Sequence, residues 1–269
     1  MADPERILIT GVSSGLGHAL VEALLARGVR VAGVARRGEA LRALAERHPE
    51  RFLPLVLDVT DSAALRAAIA TAAATFGGLD AVVANAGIGI PATADTIRTE
   101  DVRRVLETNV VAAIETLLFA LPYLRKSPAP LLAATTSMAG WRAGPGAAPY
   151  CASKAALIAF LDALRAELHA EGIRVLDIAP GFVRSEMTAR NAFAMPFLME
   201  THAAAEQMAR AILRRKSHVS FPLPMTALAW MFRRLPDRLY DLLARHVAKK
   251  LRREGTLGIA QASGSTPHP

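Results

Sequence analysis

Tyr150 and Lys154 stand four residues apart, with Ser137 thirteen residues before the tyrosine. On a helix, positions i and i+4 share one face, so a phenol and an ammonium address the same small volume. An unperturbed phenol has a pKa near ~10 and exchanges protons poorly at neutral pH. A neighbouring ammonium charge stabilises the phenolate and lowers that pKa, which suits general acid–base work near pH 7. Ser137 is placed to hydrogen-bond the same oxygen. The Tyr-x-x-x-Lys spacing alone is weakly informative; its weight comes from what lies upstream.

Arg6 to Thr10 reads as a short apolar strand. Gly11-Val-Ser13-Ser14-Gly15-Leu16-Gly17 follows, then an apolar helical run from Ala19 to Ala26. Strand, glycine-rich turn and helix form the first unit of a dinucleotide-binding fold. Glycines permit the tight turn and let phosphate oxygens approach the backbone, and the helix start offers free N–H groups to a pyrophosphate. The spacing is Gly-x-x-x-Gly-x-Gly, not the commoner Gly-x-Gly-x-x-Gly, and alone it serves a nucleotide loop or an ordinary turn equally well.

Further motifs are Asn85-Ala86-Gly87, Asn109 and Pro180-Gly181. Together with Thr10-Gly11-x-x-x-Gly15-x-Gly17, Ser137 and Tyr150-x-x-x-Lys154, their order and rough spacing resemble the classical short-chain dehydrogenase/reductase family over about residues 5–221. The resemblance implies an α/β, doubly wound Rossmann fold with a seven-stranded parallel sheet flanked by helices. It also implies roles. Tyr150 would protonate a carbonyl oxygen as hydride arrives and act as the base in reverse. Lys154 would hold the nicotinamide ribose and lower the Tyr150 pKa. Ser137 would orient the substrate oxygen, and Asn109 would support a relay water. The loop residues Gly11, Ser13, Ser14, Gly15, Leu16 and Gly17 would carry the pyrophosphate. Asp58 and Val59 would meet the adenine, and Asn85, Ala86 and Gly87 would line the cleft. Pro180, Gly181, Val183 and Ser185 would flank the nicotinamide, with Ser185 standing where the family usually has threonine. A serine hydroxyl makes the same hydrogen bonds. Asn109 also reads as a helix-surface asparagine, and Asp58 as a cap for a helix starting near Asp61.

Cofactor preference is read after the second strand, Val29 to Val34. Ala35-Arg36-Arg37 follows, with no acid before Glu39. An acidic residue there suits the ribose 2′-hydroxyl of NAD, whereas arginine suits a 2′-phosphate. NADP(H) is therefore expected over NAD(H), with Arg36 as the phosphate ligand and Arg37 as a solvated turn residue.

Strands are expected near 6–10, 29–35, 52–58, 79–85, 130–136, 173–179 and 217–221, with long helices around 99–126 and 150–171. Strand–helix alternation argues for one doubly wound domain over 1–222. A basic helical extension is expected over 223–254 and a disordered tail over 255–269. The chain has 269 residues, 52% of them hydrophobic, ample for a core. The single cysteine, Cys151, excludes an internal disulfide and fits a reducing compartment. It reads as a packing residue. The seven histidines show no metal-ligand spacing; His202 and His218 read as surface or loop residues. Asp3 and Glu5 precede the first strand, so no signal peptide is expected. No apolar run is expected to reach the ~18 residues of a membrane span. A cytoplasmic protein follows, peripheral at the inner membrane face if the tail binds lipid.

Ligands in such folds sit beyond the carboxyl ends of the strands. The segment Phe182 to His202 falls where the family has a substrate lid and carries Phe193, Met195, Phe197, Leu198 and Met199. With Ile88, Ile90 and Trp141 nearby, a bulky hydrophobic carbonyl or alcohol is expected. Arg142, Arg184 and Arg190 keep substrates bearing carboxylate or phosphate open, including 3-oxoacyl thioesters. In the tail, Leu239, Leu242, Leu243, Val247 and Leu251 recur at helical spacing. Residues 233–253 hold eight basic and two acidic residues, +6 of the chain's net +8. That composition suits an interfacial helix, or a helix packing on the core or a partner subunit. No nucleic-acid recognition motif accompanies it. The family commonly forms homodimers or homotetramers through the helices near 99–126 and 150–171. A non-enzymatic scaffold is the rival of another class.

Overall fold

The computed structural model describes residues 5–190 and 195–253. The seven strands are β1 (Arg6–Thr10), β2 (Arg30–Ala35), β3 (Phe52–Val56), β4 (Ala81–Ala84), β5 (Leu131–Thr135), β6 (Arg174–Pro180) and β7 (His218–Phe221). All pair in parallel, in the order β3-β2-β1-β4-β5-β6-β7. Every expected strand is present. The boundaries shift by one or two residues because flanking positions extend without ladder partners.

Both sheet faces are covered, which is why the central strands are apolar runs and not alternating ones. Ile7 and Ile9 join one core and Leu8 the other. The first core takes α1 (Gly15–Leu25), α2 (Gly38–Arg47) and, later in the chain, the helix Thr201–Leu213. The second takes α3 (Ser62–Phe76), the helix Ala112–Leu124 and the helix Ala148–Leu168. Ile7, Leu8 and Ile9 are fully buried, each worth about 1.5–3 kcal/mol relative to exposure. Asp61 starts α3 by accepting from the Ala64 N–H at 3.0 Å, and Gly77 ends it in the left-handed region.

The long helix near 99–126 is three pieces: α4 (Thr99–Leu106), a π turn over Glu107–Val111 and α5 (Ala112–Leu124). A π turn inserts one residue into the helical ladder and is frequent at functional sites. Taken whole, Thr99–Leu124 is long and apolar enough to cross a membrane by length and composition, correcting the expectation that no segment reaches that measure. Its role here is that of a core helix: α5 packs on β4, β5 and α3, and the turn contains the fully buried polar Asn109. Next come α6 (Ala148–Leu168) and α7 (Thr201–Leu213), the latter packed on α1.

The extension forms α8 (Leu223–Arg234) and α9 (Asp237–Arg253). Helix α8 abuts the end of β6: a Cβ on Gly181 would meet Met225 Cγ at 2.8 Å. The start of α9 returns to the loop after Ser137, where the Arg142 Nη2 donates to Asp237 at 2.7 Å. The segment expected to be disordered, 255–269, lies outside the described residues.

Candidate active site

Strand order places the topological switch between β1 and β4, the position where ligands bind in open α/β sheets. The loop after β1 and Asn85 after β4 meet there. The Thr10 hydroxyl accepts from the N–H groups of Asn85 and Ala86, both at 3.0 Å. The Asn85 Nδ2 donates to the carbonyls of Thr10 and Gly11 at 3.0 and 3.3 Å. The Thr135 hydroxyl donates to Asn85 Oδ1 at 3.0 Å. The glycines are sterically required: a Cβ on Gly11 would stand 2.6 Å from Ala86 Cα, and one on Gly17 2.2 Å from the Gly11 oxygen. Gly11 and Gly15 also have positive φ.

Above this crossing lies a cleft of about 1090 Å³. Gly11, Ser13, Ser14, Gly15, Leu16, Gly17, Arg36, Asp58, Val59, Asn85, Ala86, Gly87, Ser137, Tyr150, Lys154, Pro180, Gly181, Val183 and Ser185 all line it. The sequence motifs thus converge on one volume. Asn109 alone among the expected site residues does not line it. Its Oδ1 accepts from the Ile88 N–H at 2.8 Å, and its Nδ2 donates to the Ile88 carbonyl at 2.9 Å and to Ser153 Oγ at 3.0 Å. Both amide hydrogens are spent, so Asn109 holds the Ile88 peptide and is not a helix-surface residue.

Helix α6 presents Tyr150 and Lys154 on one face; the Lys154 Nζ lies 5.7 Å from the Tyr150 ring centroid. Ser137 caps the 3-10 turn Met138–Gly140 after β5, its hydroxyl accepting from the Ala139 N–H at 3.1 Å. Burial pushes the Tyr150 phenol above its ordinary range, and Ser137 opposes this with smaller effect. The Lys154 ammonium donates to the Thr135 carbonyl at 2.7 Å. Burial brings Lys154 down to about 8, with the charge of Asp177 holding it from falling further. Cys151 is buried and its thiol is pushed up by that burial, consistent with packing.

At the other end of the cleft, Arg36 Nη1 pairs with Asp58 Oδ2 at 3.4 Å. Burial alone would raise the Asp58 carboxyl, but hydrogen bonds from the Thr60 N–H and hydroxyl, with the Arg36 charge, hold it below its usual range. Asp61, not Asp58, caps α3. Arg37, read as a solvated turn residue, instead donates to Ser13 Oγ at 3.1 Å and pairs with Glu186 at 3.3 Å. No motif marked it; only the fold brings position 186 beside the glycine loop.

The lid segment contributes Ser185, Glu186, Met187 and Thr188 to the cleft. A Cβ on Gly89 would meet Met187 Sδ at 3.4 Å and Tyr150 Cδ2 at 3.7 Å, so Met187 and the tyrosine ring flank Gly89 at the cleft. Phe197 points outward, 52% exposed, and Met199 bridges Val183 at the lid's base. Phe193 lies outside the described residues. Two arginines considered for substrate anions are engaged elsewhere: Arg142 with Asp237, and Arg184 with Glu200 at 3.0 Å. The Arg190 side chain lies outside the described residues. His218 is exposed, as expected, and from the surface pairs with the buried Asp177 at 3.1 Å, its ring tilted beside Trp141.

The family model for short chain dehydrogenases matches residues 5–195. The chain belongs to the short-chain dehydrogenase family. It is an oxidoreductase of the doubly wound class. An uncharacterized oxidoreductase of Myxococcus xanthus is 44% identical over 243 residues, covering 89% of this chain and 96% of that one. A short chain dehydrogenase from Burkholderia cenocepacia in complex with NADP superposes with a TM-score of 0.73 at 28% identity, covering 81% of this chain and 96% of its own. A 3-ketoacyl-(acyl-carrier-protein) reductase from Brucella melitensis complexed with NADH gives a TM-score of 0.74 at 25% identity, covering 80% and 96%.

Proposed function

We propose that this short-chain dehydrogenase is NADP(H)-linked and interconverts a hydrophobic carbonyl and its alcohol, with Tyr150 as general acid–base. The observation that carries the reading is the convergence of Tyr150, Ser137 and Lys154 on the same cleft as the glycine loop. The residues fit a dinucleotide: the Gly11 and Gly17 positions leave no room for a side chain, and the start of α1 supplies free N–H groups for a pyrophosphate. A bound nicotinamide supplies or accepts the hydride. The phenol, protonated at neutral pH, gives its proton to the carbonyl oxygen as negative charge develops there. Ser137 holds that oxygen in line. Lys154 would offer its remaining N–H groups to the nicotinamide ribose hydroxyls. Asn109 acts through the Ile88 peptide, and the relay water is assigned to that neighbourhood. Asp58 and Val59 would meet the adenine, and Ser185 the carboxamide.

NADP(H) is favoured because Arg36 and Arg37 both line the adenosine end. Two guanidinium groups there match a 2′-phosphate. Comparing NADPH with NADH against a panel of hydrophobic and polar carbonyls tests the reading. Equal or better use of NADH overturns the cofactor preference, and turnover unaffected by Tyr150→Phe overturns the mechanism. Ile88, Ile90, Leu106 and Met187 give the cleft apolar walls, which favours an apolar substrate body. A 3-oxoacyl thioester reductase remains the alternative, since the Brucella protein carries that activity by name; faster turnover of a 3-oxoacyl thioester than of free ketones would select it. A nucleotide-loaded scaffold would bind cofactor and turn over nothing.

The extension favours peripheral contact with an anionic membrane from the cytoplasmic side. Leu223, Trp230, Met231, Leu239 and Leu243 are about half exposed or more, with Arg233, Arg234, Arg238 and Arg245 beside them in sequence. Each basic residue near an anionic surface contributes about 1 kcal/mol. Unchanged liposome sedimentation after deletion of 225–269 would sink this. A homodimer or homotetramer is proposed through the faces of α4, α5 and α6, with Val111 of the π turn and Leu118 of α5 exposed there; light scattering reads it.

A further inference from the structure

The loop Trp141–Ala147 joins Ser137 to Tyr150, two residues that line the cleft, and lies just outside that lining. Its two ends are fixed by main chain. At Gly140 a Cβ would stand 2.8 Å from the Lys154 carbonyl carbon and 2.9 Å from the Ala155 nitrogen. At the other end the Gly146 carbonyl accepts from the Ala92 N–H at 3.0 Å, and Ala147 bridges Ala92. At the apex between them Ala143, Gly144 and Pro145 are exposed, and a Cβ on Gly144 would meet nothing within 4 Å. Side chains from the extension hold this apex. Arg142 Nη2 donates to Asp237 Oδ1 at 2.7 Å, and its guanidinium lies 4.1 Å over the Tyr240 ring. The Tyr240 hydroxyl donates to the Ala143 carbonyl. Asp237 and Tyr240 are three residues apart on α9 and so share one face.

We propose that the start of α9 is a specificity-determining clamp on the substrate loop: it orders the apex and occupies Arg142, selecting neutral bulky carbonyls over anionic ones. The proposal rests on the reading of Ser137 and Tyr150 as the reacting pair. Ordering a glycine-rich apex before the substrate arrives removes an entropic cost that binding would otherwise bear. A small carbonyl, held mainly at its reacting oxygen, gains little from this; a bulky one that touches the loop gains much. Arg142 is only 26% exposed and already faces a carboxylate. A substrate carboxylate would have to displace Asp237 to reach it. Asp237 and Tyr240 are positioning residues, acting through Arg142 and Ala143.

The test uses Asp237→Ala, Asp237→Glu and Tyr240→Phe in the full chain, with saturating NADPH. Substrates are a small ketone, a bulky neutral ketone and the carboxylate-bearing analogue of the latter. Asp237 is exposed, so its substitution leaves the fold intact. Asp237→Ala should raise KM for the bulky neutral ketone about tenfold, with kcat changed far less and the small ketone unaffected. The carboxylate analogue should gain relative to the neutral one, because Arg142 is released. Asp237→Glu should restore the wild-type pattern. Equal changes for all three substrates, or none, overturn the clamp. Acrylamide quenching of Trp141 in a Trp230→Phe background reads the apex without turnover: quenching should rise in Asp237→Ala, and an unchanged value overturns the clamp even if the wild type reduces none of these ketones. That last result would sink the reacting-pair reading separately.

Discussion

The Lys154 ammonium donates to the Thr135 carbonyl at 2.7 Å, tying the middle of α6 to the end of β5 two residues before Ser137. This bond fixes where the lysine charge sits, while burial sets when it is lost. With its pKa brought down to about 8, Lys154 discharges as pH rises through that value. The rate of carbonyl reduction should be level from pH 6 to 7 and fall above about 8, read from kcat against pH. The stability effect has the opposite sense. The unfolded chain keeps this proton to about 10.4, so the folding penalty is full below about 8 and is relieved between 8 and 10.4. Denaturant titrations of wild type and Lys154→Met should converge across that range.

Tyr150→Phe removes the proton donor but leaves the ring in its buried seat. Turnover should fall by roughly 10²–10⁴, while cofactor affinity, followed by fluorescence titration, stays within a few fold.

Arg36→Glu should discriminate between cofactors. A charge-assisted hydrogen bond contributes about 1.5–3 kcal/mol, so KM for NADPH should rise roughly tenfold or more and KM for NADH should move little. Parallel rises in both would show that Arg36 supports the loop and not the phosphate.

Gly17→Ala places a methyl 2.2 Å from the Gly11 oxygen and 2.5 Å from Asn85 Nδ2. Backbone cannot yield cheaply there. A loss of about 1–3 kcal/mol, with cofactor affinity lowered in step, is expected by thermal melting and titration.

Asn109→Ala leaves the Ile88 N–H and carbonyl and the Ser153 hydroxyl without this partner. Each buried polar group so orphaned costs about 1–3 kcal/mol. Tm should drop clearly, and Asn109→Asp should not rescue it, because a carboxylate has no hydrogen to give Ile88 O.

Much of this was legible in the sequence because the informative residues are steric or chemical necessities. A glycine at 17 and a phenol four residues before an ammonium have few substitutes, and seven apolar runs separated by helices admit few topologies. What escaped was set by tertiary neighbours. Arg37 looked like any turn arginine until Ser13 and Glu186 closed on it. The π turn that aims Asn109 at Ile88 has no sequence signature. The shift of Tyr150 followed burial more than its helix neighbour, and burial is a property of the whole fold. The lid's apolar residues suggested a substrate wall, yet Phe197 faces out, and Met187, which no motif marked, lines the cleft.

Asn85 grips the carbonyls of Thr10 and Gly11 from seventy-five residues away in the chain. The glycine signature is therefore complete in sequence long before it is complete in space. During synthesis the first three strands emerge with the loop written but not shaped, and its final form waits for β4 to pair with β1. Such distant closure slows folding relative to local contacts. Nucleotide capture by this chain thus reports that the two halves of the sheet have met, and a fragment ending before Asn85 would carry the motif without the site.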